Sequence, residues 1–295
     1  MPDKPTYFIV GCGDIGKRVA KKLISTGNQV HALTHNNNTE KLTTLGIKPH
    51  IADLDDSQTL AHLKITYDYI FYFAPPPREG TTDTRMQHFI QTYLRHYPCK
   101  RLLYISTTGV YGDQQAQWIN EETPVAPQVD RAKRRLDAEQ QITLFHEQYA
   151  TEFVIIRVAG IYSLEKLPIN RLQQGITILD RKLSGASNRI HADDLTNICL
   201  TAIHKAESAE IFNATDGQPS TMSDYFIKVA AAFDLPTPVE VDWQYAEQHF
   251  STSMLSYLKE SKKISNNKLK KLGIQLQYPS LEAGLKQCLE ESYAM

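Results

Sequence analysis

The chain has 295 residues, of which 41% are hydrophobic and 22% charged, and its formal net charge is −1. That length suffices for one large domain or two modest ones, and the near-neutral balance excludes a global electrostatic case for nucleic acid or an anionic membrane surface. No apolar run approaches the length of a membrane span, and MPDKPTYFIVG shows no basic stretch, apolar stretch and cleavage site in order, so the expected compartment is the cytoplasm.

TYFIVG, over 6–11, is an apolar run ending at glycine and reads as a buried parallel strand. DIGKRVAKKLISTG follows with Ile15, Val19, Leu23 and Ile24 at helical spacing, closed by Gly27. QVHALTH (29–35) predicts a second strand, TEKLTTLG a short helix ended by Gly46, and KPHIADL (48–54) a third strand. DYIFYFAPPP (68–77) is a fourth, stopped by three prolines, and MQHFIQTYLRHY (86–97) a helix with Phe89, Ile90, Tyr93 and Leu94 on one face. RLLYISTTGVYG (101–112) is a fifth strand, RAKRRLDAEQQITLFHEQYA a long helix, and EFVIIRVAG a sixth strand. Strand and helix thus alternate six times, the pattern of an α/β, Rossmann-type doubly wound parallel sheet. Beyond residue 160 the elements shorten, AEIFNATDG (209–217) reads as one more strand, and His191 is expected to open the helix HADDLTNICLTAI. The expected division is a Rossmann domain of 1–160 plus 190–216 and a smaller substrate region of 161–189 plus 217–295.

The segment GCGDIG spells Gly11-x-Gly13-x-x-Gly16 between the first strand and the first helix. Gly11 permits the tight turn, Gly13 lets backbone approach a pyrophosphate, and Gly16 lets helix and strand pack closely. Cys12, Asp14 and Ile15 complete a helix N-terminus that offers N–H groups and a positive dipole end to phosphates. The pattern predicts a bound dinucleotide. At the end of the second strand, neither the carboxylate that reads a 2′-hydroxyl nor the arginine that reads a 2′-phosphate is present. Thr34, His35 and Asn36 stand there instead; nothing repels a 2′-phosphate, which favours NADP slightly over NAD. Asp53 and Leu54 are placed for the adenine, Ala74, Pro75 and Pro76 for the ribose and pyrophosphate, and Ser106, Thr107 and Thr108 for the nicotinamide end, since ligands of open α/β sheets bind at the carboxyl ends of strands. The four cysteines, Cys12, Cys99, Cys199 and Cys288, have no C-x-x-C spacing, and no His/Cys/Asp/Glu cluster has metal spacing, so reduced thiols and no metal are expected.

With these segments in view, the chain resembles an extended short-chain dehydrogenase/reductase of the NAD-dependent epimerase/dehydratase superfamily. GCGDIG, ADLDD (52–56), STTGVYG (106–112), IIRVAGIY (155–162), NRIHADDL (188–195) and FNATDG (212–217) carry the resemblance, with KKISNNKL…LGIQLQYPSLEAGL (262–285) similar to the superfamily's C-terminal segment. It implies a Rossmann domain with bound NAD(P), a smaller substrate domain, and in many relatives a nucleotide-linked sugar held between them. It also implies a Ser/Thr followed by a Tyr-x-x-x-Lys pair on the next long helix. Thr107 falls at the Ser/Thr position, but Arg131 stands where the tyrosine is expected and Arg135 where the lysine is. An arginine stays protonated at neutral pH and cannot exchange a proton as tyrosine does, although its fork suits phosphate or carboxylate. Arg135 is therefore expected to hold the nicotinamide ribose or a phosphate, and Arg131 to clamp an anionic substrate or stabilise developing negative charge. Thr108, Tyr111, Arg189 and His191 are the candidate substrate contacts, with burial the competing reading for Tyr111 and His191. Two functions are open: an NAD(P)-dependent epimerase, dehydratase or reductase acting on a small anionic substrate, or a dinucleotide-responsive regulator without catalysis. A homodimer through the helices at 86–97 and 131–150 is a further expectation.

Overall fold

A computed structural model describes residues 4–35 and 39–293. The chain divides into two compact units, residues 1–110, 127–157 and 195–212 in the first and 111–126, 158–194 and 213–295 in the second.

The first unit is built on a seven-stranded sheet. Its strands are β1 (Thr6–Val10), β2 (Gln29–Thr34), β3 (Lys48–Ile51), β4 (Tyr69–Tyr72), β5 (Arg101–Thr107), β6 (Glu152–Val158) and β7 (Glu210–Ala214), the last two running past the unit boundary by a residue or two. The helices are α1 (Asp14–Ser25), α2 (Glu40–Thr44), α3 (Ser57–Leu60), α4 (Thr84–His88), α5 (Asp130–Tyr149) and α6 (Ala192–Lys205). The strand order is β7-β6-β5-β4-β1-β2-β3, with parallel pairing of β1 to β2 and β4, of β2 to β3 and of β4 to β5. The order reverses between β1 and β4, so their carboxyl ends form the topological switch point of the doubly wound sheet. Phe8, Ile9 and Val10 are wholly buried, as a central strand covered on both faces requires. A core of Phe8, Val10, Ile70, Tyr72, Phe89, Tyr93, Leu102 and Tyr104 lies on one side of the sheet.

Several boundaries differ from the sequence pattern. β4 ends at Tyr72, although the amides of Phe73 and Ala74 still donate to Val10 O at 2.7 and 2.9 Å; prolines 75–77 have no N–H to continue the ladder. β5 ends at Thr107 and tightens into a 3₁₀ turn, Thr108–Tyr111. The helix expected over 86–97 begins as α4 and widens into a π-helix over Phe89–Leu94. The wider turn puts Phe89, Tyr93 and Leu94 all in the core and lets Tyr93 Oη donate to Ile65 O at 2.6 Å. His191 closes the short strand Arg189–His191 rather than opening α6.

The second unit is made of short elements around helices Met222–Ala232 and Leu281–Tyr293, whose apolar faces share a core with Tyr162, Leu172 and Ile178. Thr221 and Asp224 form a reciprocal capping box at the start of the first of these helices. Residues 111–126 join this unit by pairing Trp118–Ile119 with Lys263–Ile264.

Candidate functional site

The glycine segment turns directly off β1. Gly11 has φ of +91°, and a Cβ there would lie 2.4 Å from the backbone nitrogen of Ala74, so only glycine fits between β1 and the end of β4. The Gly13 amide donates to Gly11 O at 2.9 Å, and a Cβ on Gly13 would meet nothing within 4 Å: the loop presents bare, exposed backbone. Gly16 is buried against Gly11 O and Ile9 Cγ2, each 3.1 Å from its hypothetical Cβ, which seats α1 close to β1. Gly11 and Gly16 are thus demanded by close packing, while Gly13 leaves its backbone open. Ile15 is buried beneath the loop, while Asp14 pairs with Arg18 at 2.8 Å on the first turn of α1.

A cleft of about 610 Å³ opens over this loop. It gathers Gly11, Cys12 and Gly13 from the turn, Thr34 and His35 from the end of β2, Asp53 and Leu54 from beyond β3, and Ala74 and Pro75 from beyond β4. Pro76 is half-buried beside it, and Asn36 lies outside the described residues. The cleft also holds residues the motif search did not single out: Lys17, Lys41, Asp55 and Arg85. Arg85 donates from Nε and Nη2 to the two oxygens of Asp55 at 2.7 and 2.6 Å and from Nη1 to Pro75 O at 3.0 Å. That fork keeps the Asp55 carboxyl below its ordinary pKa. The sequence signal for this pair was no more than the run of acids in ADLDD. Burial raises the Cys12 thiol to about 11, so it is a protonated thiol at neutral pH and not a reactive thiolate.

Further along the sheet edge, Thr107 ends β5 half-buried, its Oγ1 accepting from the Gly109 amide at 3.2 Å, while Thr108 is buried. Gly109 faces α5, where a Cβ would make an ordinary contact 3.5 Å from Ala132 Cβ. Arg131 and Arg135 lie four residues apart on α5 and so share a face. Arg135 Nη1 donates to Ile105 O at 2.9 Å, to Tyr104 Oη at 3.2 Å and to Ala74 O at 3.4 Å. It ties the end of β4 to β5, leaving Nε and Nη2 without a hydrogen-bond acceptor among the described residues. Beneath this edge is a buried ionic group not foreseen from the sequence. Arg157 of β6 forks onto Glu139 of α5, Nη2 to Oε2 at 2.7 Å and Nε to Oε1 at 3.2 Å, and Ser106 Oγ also donates to Glu139. A charged residue inside the apolar strand VIIRV was the available clue.

In the second unit the candidate contacts are differently placed. Tyr111 is fully buried and its hydroxyl donates to Asn213 Oδ1 at 2.9 Å. His191 is also in the core, edge-on to Tyr162 and against Tyr278 with ring centroids 5.1 and 4.2 Å away. Both side chains are thus buried, the competing reading that the sequence left open for them. Arg189 lies buried with its guanidinium 3.9 Å from the centroid of the Tyr225 ring. Asp194 accepts from the amides of Gln277 and Tyr278 at 2.7 and 2.9 Å, anchoring the approach to the last helix.

A bare glycine turn at the switch point of a doubly wound sheet, with the cleft above it, defines a dinucleotide-binding class of fold. Within that class, residues 7–215 match the NAD dependent epimerase/dehydratase family, and the chain belongs to it. Human dTDP-D-glucose 4,6-dehydratase is 29% identical over 160 residues, covering 52% of this chain and 44% of that protein. The chain spans less than half the length of the mammalian dehydratases it matches. Among solved structures, the Thermotoga maritima UDP-glucose 4-epimerase with UDP-glucose superposes with a TM-score of 0.82 at 19% identity, covering 98% of this chain and 99% of that one. The Thermus thermophilus UDP-glucose 4-epimerase in complex with NAD gives 0.79 at 16% identity, with 97% and 98% covered. At these identities the superpositions establish the fold. Among the described residues no helix is long and apolar enough to cross a membrane, and no three His, Cys, Asp or Glu side chains are grouped to hold a metal.

Proposed function

We propose that the chain binds a nicotinamide dinucleotide in the first unit's cleft and works as an epimerase, dehydratase or oxidoreductase on a nucleotide-linked sugar or a similar anionic small molecule. The observation that carries the reading is the bare backbone of Gly13 at the sheet's switch point, with open space beside it of the kind a pyrophosphate needs. In this reading Gly11 to Gly16 hold the phosphates, Asp53 and Leu54 the adenine, Thr34, His35 and Asn36 the adenosine ribose, and Ala74, Pro75 and Pro76 the turn of the cofactor. The free donors of Arg135 hold the nicotinamide ribose. Among the described residues of the cleft, the cations Lys17, Lys41 and Arg85 are set against the carboxylates Asp53 and Asp55, a balance that supports NADP over NAD. When bound, the nicotinamide supplies the hydride chemistry of the family. Arg131 and Arg135 cannot pass a proton at neutral pH, so Thr107, with its hydroxyl at the end of β5, or a water is assigned that task. Arg131 clamps the substrate's negative charge, with Thr108 as a further substrate contact, and residues 161–189 plus 217–295 are the substrate region of the same reading. Homodimer formation through the helices at 86–97 and 131–150 belongs to the same reading.

Arginine at the tyrosine position favours a second reading, a dinucleotide-responsive regulator without catalysis. Both require binding. Calorimetric titration with NAD⁺, NADP⁺ and their reduced forms tests it: micromolar binding of one, followed by nicotinamide absorbance changes with a sugar nucleotide, supports the enzyme. Binding without turnover of any sugar nucleotide supports the regulator, and no binding by any of the four sinks both.

A further inference from the structure

The Arg85–Asp55 pair occupies an unusual place. Asp55 lies just beyond β3 and Pro75 just beyond β4, and in the sheet those strands are separated by β2 and β1. Three strand spacings of about 4.8 Å put the two strand ends roughly 14 Å apart. A single side chain joins the two loops that leave these ends: all three nitrogens of Arg85 are engaged, two on the Asp55 carboxylate and one on Pro75 O. The link reaches further, because the Asp55 amide donates to Asp53 Oδ1 at 2.9 Å, so the fork that fixes Asp55 also steadies Asp53. Asp53, Asp55, Pro75 and Arg85 all line the cleft. The pair is open to water on the Asp55 side, whose side chain is 51% exposed, so its charge balance is felt by anything entering there.

We propose that Arg85 is a positioning and specificity residue: it sets the spacing between the walls at the adenosine end of the cleft and, by neutralising Asp55, keeps that end tolerant of a 2′-phosphate. This rests on the dinucleotide reading of the cleft. The bridge acts on charge as well as on shape. Without Arg85, Asp55 is an unpaired carboxylate beside an incoming dianionic phosphate, and like charges repel, most strongly where salt screens them least. NAD, lacking that phosphate, is affected through the spacing alone.

The test is the ratio of NADP⁺ to NAD⁺ affinity by calorimetry at low ionic strength, where screening is weak. Arg85→Gln is expected to lower NADP⁺ affinity at least tenfold and NAD⁺ affinity about threefold or less. Asp55→Asn is expected to raise the ratio, and the double variant to bring it back within about threefold of the parent. Restoration by a second substitution is a response that a purely structural role would not give. An unchanged ratio in Arg85→Gln, or a double variant that stays as low as the single one, overturns the assignment while leaving dinucleotide binding intact. If the parent protein binds neither dinucleotide, the reading of the site itself fails, and this one with it.

Discussion

The glycine turn makes two opposite demands on neighbouring positions, and a pair of alanine substitutions separates them. At Gly13 the backbone φ is −78°, outside the left-handed region, and an added Cβ meets nothing within 4 Å. Gly13→Ala therefore costs the fold only the difference between glycine and alanine at a helix N-cap, about 1 kcal/mol or less. The methyl does, however, stand where a pyrophosphate must approach, and a hundredfold rise in Kd, about 2.7 kcal/mol, is expected. At Gly11 the order reverses. A φ of +91° strains alanine by roughly 1–3 kcal/mol, and the Cβ would sit 2.4 Å from Ala74 N, so the ends of β1 and β4 must also part. Gly11→Ala should lose about 3 kcal/mol or more, a fall in Tm of roughly 6–12 °C at 2–4 °C per kcal/mol. Thermal melting and calorimetric titration of both variants decide the matter. A Gly13→Ala protein that binds dinucleotide as the parent does, or that melts as low as Gly11→Ala, would refute the reasoning.

Three further outcomes are expected from groups elsewhere in the first unit. Glu139→Ala leaves Arg157 charged and buried without its main partner, and urea unfolding should show a loss of about 3–5 kcal/mol; a loss under about 1 kcal/mol would mean the pair is not desolvated. Cys12, with its thiol raised to about 11, should alkylate slowly at pH 7.5 and accelerate about tenfold per pH unit up to that value; rapid labelling at neutral pH contradicts its burial. His31 Nδ1 lies 2.8 Å from His50 Nε2, with Tyr67 Oη 3.0 Å from each, and burial, then His50 and Lys48, holds the His31 pKa down to about 4. The unfolded chain takes up that proton near pH 6.5, so the contribution is complete above that pH and is lost as pH falls toward 4; for a half-exposed ring this amounts to roughly 1–2 kcal/mol after screening. Urea midpoints at pH 7 and 4.5 should differ less in His31→Gln than in the parent, and an equal difference would remove the histidine pair as the cause.

The alternation of strands and helices was legible because buried parallel strands are written as local apolar runs, and the glycine loop because its geometry is dictated by three residues within six. What stayed hidden depended on contacts distant in sequence. Nothing near Arg85 announces that it will meet Asp55, thirty residues away, and Glu139 is one acid among several on a polar helix until β6 brings Arg157 beneath it. Tyr111 and His191 left two readings open in the sequence, contact or burial, for a related reason. A hydroxyl or an imidazole looks chemically available in sequence, but its exposure is settled by partners such as Asn213 and Tyr278, which lie 102 and 87 residues further on. The π-helical turn at Phe89–Leu94 was invisible in the same way, since an amphipathic pattern fixes which residues are buried but not how far the turn must open to bury them.

The two halves of the proposed site depend on the sequence to different degrees, and this bears on how the arginines are read. Phosphate binding over GCGDIG uses backbone amides and the absence of side chains, so any chain that keeps the three glycines and the strand before them keeps that capacity. Proton transfer uses one side-chain atom whose pKa must lie near the working pH, and an arginine in that place removes it outright. Arg135 reconciles the two. Its anchored Nη1 ties Ala74 to Ile105, and its planar fork still directs Nε and Nη2 away from those carbonyls, where a lysine would bring one compact ammonium. The replacement of the pair is therefore coherent for holding a dinucleotide while giving up an acid/base tyrosine. In the proposed function the substrate, a water or Thr107 carries the proton, and Arg131 acts on negative charge as it develops rather than on the proton itself.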